Sequence, residues 1–387
     1  MHNNSFLALD AEAYQANIQF LRNHLKKKVI ISSVVKGNAY GHSIETFVPI
    51  ALEQKVTHFS VFDSEEARRV KAAVQNNATV LIMGWLSDED DLTWVIENSI
   101  EFFVFEKHRL TSAVAVAKKI RKKAIVHIEV ETGMNRTGFN RSELKWVQEF
   151  FKKNAAYLEF KGLCTHFAGA ESIANFFRIK KQIAAFEEIS NLFSAAGLKP
   201  ELRHAACSAA AMMYPETQLD LVRIGIMQYG FWSSAEVLVN FFNSKRKNID
   251  PLRRMISWKS QVMSVKKVKR GEFVGYGTSF MADENMKIAT VPVGYAHGYS
   301  RSLSNVGRVL INGERCVVIG SINMNMMVVE VTFLPDIKRG DEVVLIGEQG
   351  DKTLTVASFS DYSNMLNYEL LTRISADIPR IRKVSTK

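Results

Sequence analysis

The chain has 387 residues, of which 47% are hydrophobic and 23% charged, and it carries a formal net charge of +10. Those figures exclude a collagenous or disordered polymer and suit a globular protein with one large domain and a smaller one. The excess cations are dispersed over Lys26–Lys28, Lys118–Lys123, Lys245–Lys247, Lys266–Arg270 and Arg380–Lys387, mixed with acids, so they read as solvated surface. No aromatic-and-basic motif accompanies them, and no nucleic-acid partner is expected.

Phe6–Leu9 reads as a strand that joins a C-terminal domain. After it, short β-branched runs alternate with amphipathic stretches. The runs are Val29–Val35, His58–Phe62, Thr79–Met83, Phe102–Phe105, Ala124–Val130, Leu158–Thr165, Glu201–Ala205 and Leu221–Ile224. Between them Ile44–Glu53, Ser64–Val74, Leu110–Arg121, Ser142–Lys152 and Phe176–Ala196 have helical spacing, as Ala67, Val70 and Val74 illustrate. Eight strand-then-helix units predict a (β/α)8 TIM-type barrel over 10–240. No GxGxxG turn follows the first strand, which argues against a doubly wound dinucleotide fold.

Beyond the polar stretch Asn240–Asp250 the texture changes, and 241–387 reads as a C-terminal β-strand domain joined by an N-terminal strand at 3–9. Its runs are Val262–Val268, Ile288–Val293, Arg308–Ile311, Arg315–Ile319, Met326–Val331 and Glu342–Ile346. Asn312-Gly313 is a strong hairpin signal, and Gly340-Asp341 a further turn. Cys164, Cys207 and Cys316 form no CxxC pair, so a reducing compartment is expected, without a disulfide framework or zinc site. No basic segment followed by an apolar core opens the chain, and no apolar run reaches the roughly 18 residues of a membrane helix. A cytoplasmic location is the expectation.

A barrel places its chemistry at the carboxyl ends of its strands. There the chain sets Lys36, Arg136, His166, His204, Ser208 and Arg223. A mouth with a lysine, two arginines and two histidines suits an anionic ligand such as a phosphate or carboxylate. A lysine in an apolar mouth also loses proton affinity, as covalent chemistry at its amine requires. Taken alone, Lys36 would read as a solvated strand end and Arg223 as half of a structural ion pair.

Val34-Val-Lys36-Gly-Asn-Ala-Tyr40-Gly-His42 resembles the cofactor-lysine motif of the alanine racemase family, fold-type III pyridoxal-phosphate enzymes. The resemblance continues in Glu131-Thr-Gly-Met-Asn-Arg136, Arg223-Ile-Gly225-Ile226, Gly275-Tyr276-Gly277, Pro292-Val-Gly-Tyr295 and Asn367-Tyr-Glu-Leu-Leu-Thr-Arg373. Six motifs in family order, spread over both domains, make it specific.

The resemblance implies a pyridoxal 5′-phosphate-dependent isomerase, an alanine racemase acting by two bases on opposite faces of Cα. Lys36 would bond the cofactor and act as one base, and Tyr276 of the partner subunit would be the other. Tyr40, Ser208 and the amides of Gly225 and Ile226 would hold the phosphate, and His166 and Arg223 would complete the cofactor site. Arg223 would face the pyridine nitrogen, where a guanidinium can only donate. A chain Tyr276–His166–His204–Arg223 would keep the histidines from full charge. Arg136 would bind the substrate carboxylate with the Met324 amide and the Tyr295 hydroxyl. Many relatives steer this arginine with a lysine carbamate; here Glu129 supplies a permanent carboxylate, expected to pair with Arg136 directly. A homodimer with shared sites, no metal, no membrane partner and D-alanine for peptidoglycan precursors complete the implication.

Four departures concern the pocket. Asn325 stands where the family has an aspartate, Ala376 where it has a tyrosine, Cys207 for an asparagine and His297 for an aspartate. With fewer acids and more room at the rim, a racemase of serine or of a larger amino acid stays open beside that of alanine. So does a decarboxylase of the same architecture, which would place an acid opposite the ring nitrogen, and so does a non-catalytic cofactor carrier.

Overall fold

The computed structural model describes residues 4–245, 249–356 and 367–383, so residue 3 of the expected N-terminal strand and residues 246–248 of the expected linker lie outside it. The chain divides into two compact units, 13–37 with 48–253, and 1–12 with 38–47 and 254–387.

The first unit is a parallel barrel. Its strands are β2 (Ile30–Val34), β3 (His58–Asp63), β4 (Thr79–Trp85), β5 (Glu101–Val104), β6 (Ala124–Glu129), β7 (Leu158–Cys164), β8 (Leu202–His204) and β9 (Leu221–Ile224), β1 being the N-terminal strand described below. They pair in the order β8-β7-β6-β5-β4-β3-β2-β9. The ring closes through the Cys207–Arg223 bridge, with Arg223 N donating to Ala206 O at 2.9 Å. All four residues of β5 are buried, as expected of a parallel strand covered on both faces.

The helices between the strands form where the 3.6-residue pattern and the caps agree. In α4 (Ser64–Val74; α1 to α3 are Ala11–His24, Lys36–Tyr40 and Ile44–Glu53) Ala67, Val70 and Val74 are fully buried, and Asp63 caps the start by accepting from Glu66 N at 2.9 Å. The helical spacing in the sequence does not single out α5 (Glu89–Glu97), although Asp88 caps it and its first turn is acidic. Then come α6 (Lys107–Ile120), α7 (Leu144–Lys153), α8 (Phe176–Ala195), α9 (Ser208–Met213) and α10 (Ala235–Lys245).

At the end of β2 the chain does something unusual. Gly37, Asn38, Ala39 and Tyr40 have φ of 63°, 54°, 55° and 51°, one turn of left-handed helix. Such a turn costs non-glycine residues about 1–2 kcal/mol each. Asn38 compensates in part: its backbone carbonyl accepts from Ser43 N at 3.0 Å and its side-chain carbonyl from Ile44 N at 3.1 Å.

The second unit is a sheet of ten strands. β1 (Ser5–Leu9) lies between β10 (Ile256–Gln261), to which it is antiparallel, and β18 (Arg380–Arg382), to which it is parallel. Leu7 and Leu9 are fully buried, and Trp258 Nε1 donates to Ser5 Oγ at 2.7 Å. The remaining strands are β11 (Ser264–Val268), β12 (Met286–Val291), β13 (Arg308–Ile311), β14 (Glu314–Ile319), β15 (Met327–Glu330), β16 (Glu342–Gln349) and β17 (Lys352–Leu354), with α11 (Asn367–Arg373) near the end. Asn312 and Gly313, both with positive φ, turn β13 into β14. β10 does not stand out in the sequence although Ile256, Trp258 and Ser260 alternate inward, because Lys259 and two serines dilute its apolar signal.

Candidate active site

Lys36 follows the buried end of β2. It is open to solvent at the mouth, yet enough protein surrounds it that burial lowers its proton affinity, helped by Arg136 and Arg223 and opposed by Glu66. His166 is drawn down to about 3 by burial, then by Arg223, Arg136 and Lys36, and is therefore a neutral imidazole. Ser208 opens α9 and is buried; its Oγ accepts the Gly225 amide at 2.9 Å. Ile226 begins the next tight turn, Ile226–Tyr229. The expected residues Lys36, Arg136, His166 and Arg223 thus act on one another in one mouth, with Ser208 and Gly225 joined on the adjoining β9 edge.

Glu129 ends β6, almost fully buried. Burial raises its carboxyl above the usual range, while a hydrogen bond from Thr137 and the charges of Arg223 and Arg136 oppose the rise. It forms no ion pair with Arg136 among the described residues; the expected direct pairing is replaced by Thr137 and an attraction through space. The loop that carries Arg136 is fixed by Glu131 instead. Its carboxylate accepts the amides of Gly133, Met134 (2.7 Å) and Asn135 (2.8 Å).

Arg223 occupies the centre of the mouth, buried. Nη2 donates to Thr165 O at 2.7 Å and Ala205 O at 3.1 Å and lies 3.4 Å from His166 Nδ1. Nη1 donates to His204 Nδ1. The order therefore differs from the expected run: Arg223 stands between the two histidines. Beyond His204 the polar chain continues through residues that the strand-end pattern does not reach. His204 Nε2 and His127 Nδ1 are 2.8 Å apart, His127 Nε2 and Glu101 Oε2 2.8 Å, and His58 Nε2 lies 3.4 Å from the same oxygen. His127, two positions before Glu129 on β6, shares its inward face; that period-two relation was the available signal.

The second unit carries the other expected residues. Tyr276 is 74% exposed, Tyr295 43% and Met324 56%. The last two are neighbours: Tyr295 N donates to Asn323 O and Ala296 N to Met324 O, both at 3.0 Å. Asn325 and Ala376 are exposed, His297 Nδ1 accepts Gly294 N at 3.1 Å, and the Tyr40 ring lies 6.2 Å from that of Tyr368.

Among the described residues, no helix is long and apolar enough to cross a membrane, and no group of three or more His, Cys, Asp or Glu is arranged to hold a metal ion.

Comparison with known proteins gives a consistent result. Residues 9–232 match the alanine racemase N-terminal domain family and 255–382 the C-terminal domain family. An alanine racemase of Leptospira interrogans is 32% identical over 380 residues, covering 97% of this chain and 95% of the relative. The crystal structure of alanine racemase from Bacillus anthracis with bound L-Ala-P superposes with a TM-score of 0.90 at 30% identity, covering 100% of this chain and 97% of that one. That of Bartonella henselae with covalently bound pyridoxal phosphate gives 0.82 at 27% identity, covering 98% and 100%.

Proposed function

We infer the reaction from one premise: the chain belongs to the alanine racemase family. It is a pyridoxal 5′-phosphate-dependent isomerase that interconverts L-alanine and D-alanine. The observation that carries this reading is the barrel mouth, where a lysine of lowered proton affinity faces the same space as a buried arginine held by backbone carbonyls.

The donor set fits the cofactor. Lys36 would bond it, Ser208, Tyr40 and the amides of Gly225 and Ile226 would take the phosphate, and Arg223 would meet the ring nitrogen, with His166 alongside. When bound, the cofactor supplies an electron sink that acidifies the α-proton of the attached amino acid. Arg223 has only donors, so it leaves the ring nitrogen unprotonated, which tempers that sink and disfavours transamination.

Racemisation needs a proton removed from one face of Cα and another delivered to the opposite face. Lys36 Nζ serves one face. Tyr276 of the partner subunit serves the other, so the working unit is a homodimer and a lone subunit is inactive. Arg136, biased by Glu129, holds the substrate carboxylate with the Met324 amide and the Tyr295 hydroxyl. Because Glu129 is a carboxylate already, no lysine carbamate is needed. We place the enzyme in the cytoplasm, supplying D-alanine to peptidoglycan precursors. The neutral, exposed rim at Asn325 and Ala376, with Cys207 and His297 in place of polar family residues, favours a substrate range that extends to serine.

The test is to incubate the purified protein and pyridoxal phosphate with L-alanine, L-serine or L-lysine in deuterated water. Alanine is expected to invert with deuterium incorporated at Cα, and Lys36→Ala to abolish both. Release of carbon dioxide, or no exchange at all, would overturn the assignment.

A further inference from the structure

A line of polar side chains traverses the barrel interior from its amino end to its mouth. His58 and Glu101 are the first residues of β3 and β5, His127 lies midway along β6, and His204 ends β8 beside Arg223. His58, Glu101, His127, His204 and Arg223 are all buried. Such groups are retained in a core only with partners.

From Arg223 to Glu101 the geometry dictates the direction of every proton. A guanidinium has no acceptor, so Arg223 Nη1 donates and His204 Nδ1 must be bare. A neutral His204 then carries its proton on Nε2 and donates to His127 Nδ1. His127, neutral in turn, carries its proton on Nε2 and donates to Glu101 Oε2. The run begins at a cation and ends at an anion, with every donor aimed the same way.

Burial lowers the proton affinity of His127 and of His204, which keeps both imidazoles neutral. Burial alone would raise the Glu101 carboxyl, but the hydrogen bond from His127, with His58 Nε2 3.4 Å from the same oxygen, outweighs it and holds the group ionised. Two further observations tie the line to its place. A Cβ at Gly162 would lie 1.9 Å from His127 Nδ1, so this strand position must be glycine for the ring to stand where it does. The Phe103 ring lies 6.1 Å from that of His127 and 5.8 Å from that of His204, and Arg223 Cζ is 5.8 Å from its centroid, so one phenyl group covers the line.

We propose that Glu101 is a positioning residue for Arg223: acting through His127, it fixes the His204 tautomer that leaves Nδ1 free to accept from the guanidinium. Glu101 touches neither substrate nor cofactor. Without an acceptor at 101, His127 can reverse, placing its proton on Nδ1. His204 must then accept at Nε2 and protonate Nδ1, and it meets Arg223 donor against donor. The guanidinium turns away from the position in which it would face the ring nitrogen. This consequence for catalysis rests on the racemase reading; the tautomers do not.

The experiment uses the full chain labelled with nitrogen-15 at histidine, with and without pyridoxal phosphate. Imidazole nitrogen shifts are recorded for the parent protein, Glu101→Leu and Glu101→Gln. In the parent, His127 and His204 are expected to be neutral with the proton on Nε2. Glu101→Leu is expected to reverse or mix both tautomers and to lower kcat ~10- to 100-fold with little change in the KM for alanine. Glu101→Gln, whose amide oxygen still accepts, is expected to restore the parent tautomers and most of kcat. Nδ1-protonated His204 in the parent protein would overturn the proposal without any variant, so a Leu variant that fails to fold leaves it exposed to test. So would a folded Glu101→Leu with unchanged kcat. Expected tautomers in a protein without racemase activity would instead sink the functional reading and leave the proton order standing.

Discussion

The mouth of the barrel illustrates what single residues reveal before folding. Lys36, His166, His204 and Arg223 were legible because each polar side chain stands at the carboxyl end of an apolar run. Glu101 and His127 were not, because Phe102-Phe103-Val104 and Ala124-Ile-Val make their strands look uniformly apolar. The proton-directing role of His127 exists only once the barrel turns side chains of β5, β6 and β8 into one interior. Ser208 was recognisable as the start of an alanine-rich helix, but its acceptance of the Gly225 amide was not. Ser208→Ala leaves that buried amide without its partner. The expected cost is about 1–3 kcal/mol of stability in the cofactor-free protein, seen in urea titration, together with weaker pyridoxal phosphate binding in an absorbance titration. An unchanged affinity would remove Ser208 from the phosphate site.

Among the elements, the eight barrel strands were readable since parallel strands buried on both faces are written as continuous β-branched stretches. The antiparallel unit was harder. β10 buries only alternate residues, and β18 is three residues long with two arginines, so neither stands out from its neighbours. The Asn312-Gly313 turn was legible from chemistry alone, because both residues tolerate the positive φ that such a turn demands. No atom lies within 4 Å of a Cβ built at Gly313, whose φ is +78°. Gly313→Ala therefore tests backbone strain without a clash. A destabilisation of about 1 kcal/mol is expected, measured as a lower urea midpoint at unchanged slope; no change would mean that the turn relaxes freely.

For the whole molecule, the histidines set the acid limit. His42 is drawn to about 4 and His166 to about 3, burial being the main cause in each, and His127 and His204 are lowered for the same reason. In the unfolded chain they titrate near about 6.5. Between that value and the folded values the unfolded state binds more protons, so stability falls as pH falls. His42 alone should remove roughly 2–3 kcal/mol by about pH 4.5. Glu101 and Asp91, whose folded carboxyls are depressed, act in the same direction at lower pH, below the ordinary carboxylate range. Denaturant titrations from neutral to mildly acidic pH should show a steady loss, and a flat profile would contradict neutral buried histidines. The N-terminal strand's membership of the second unit was legible, but that of 38–47 was not. Nothing in the composition of 38–47 marks it as a departure from the barrel unit.

The position of β1 has a consequence for how the chain must be made. Its leucines are synthesised before either of the strands that flank it, Ile256–Gln261 and, much later, Arg380–Arg382. Until Ile256–Gln261 follows, the nascent chain carries an apolar ribbon with both hydrogen-bonding edges open, and one edge stays open until Arg380–Arg382 is made. Such a ribbon invites pairing with other nascent chains. Yield in the cell should consequently depend on translation speed and chaperone supply more steeply than the stability of the finished protein would suggest.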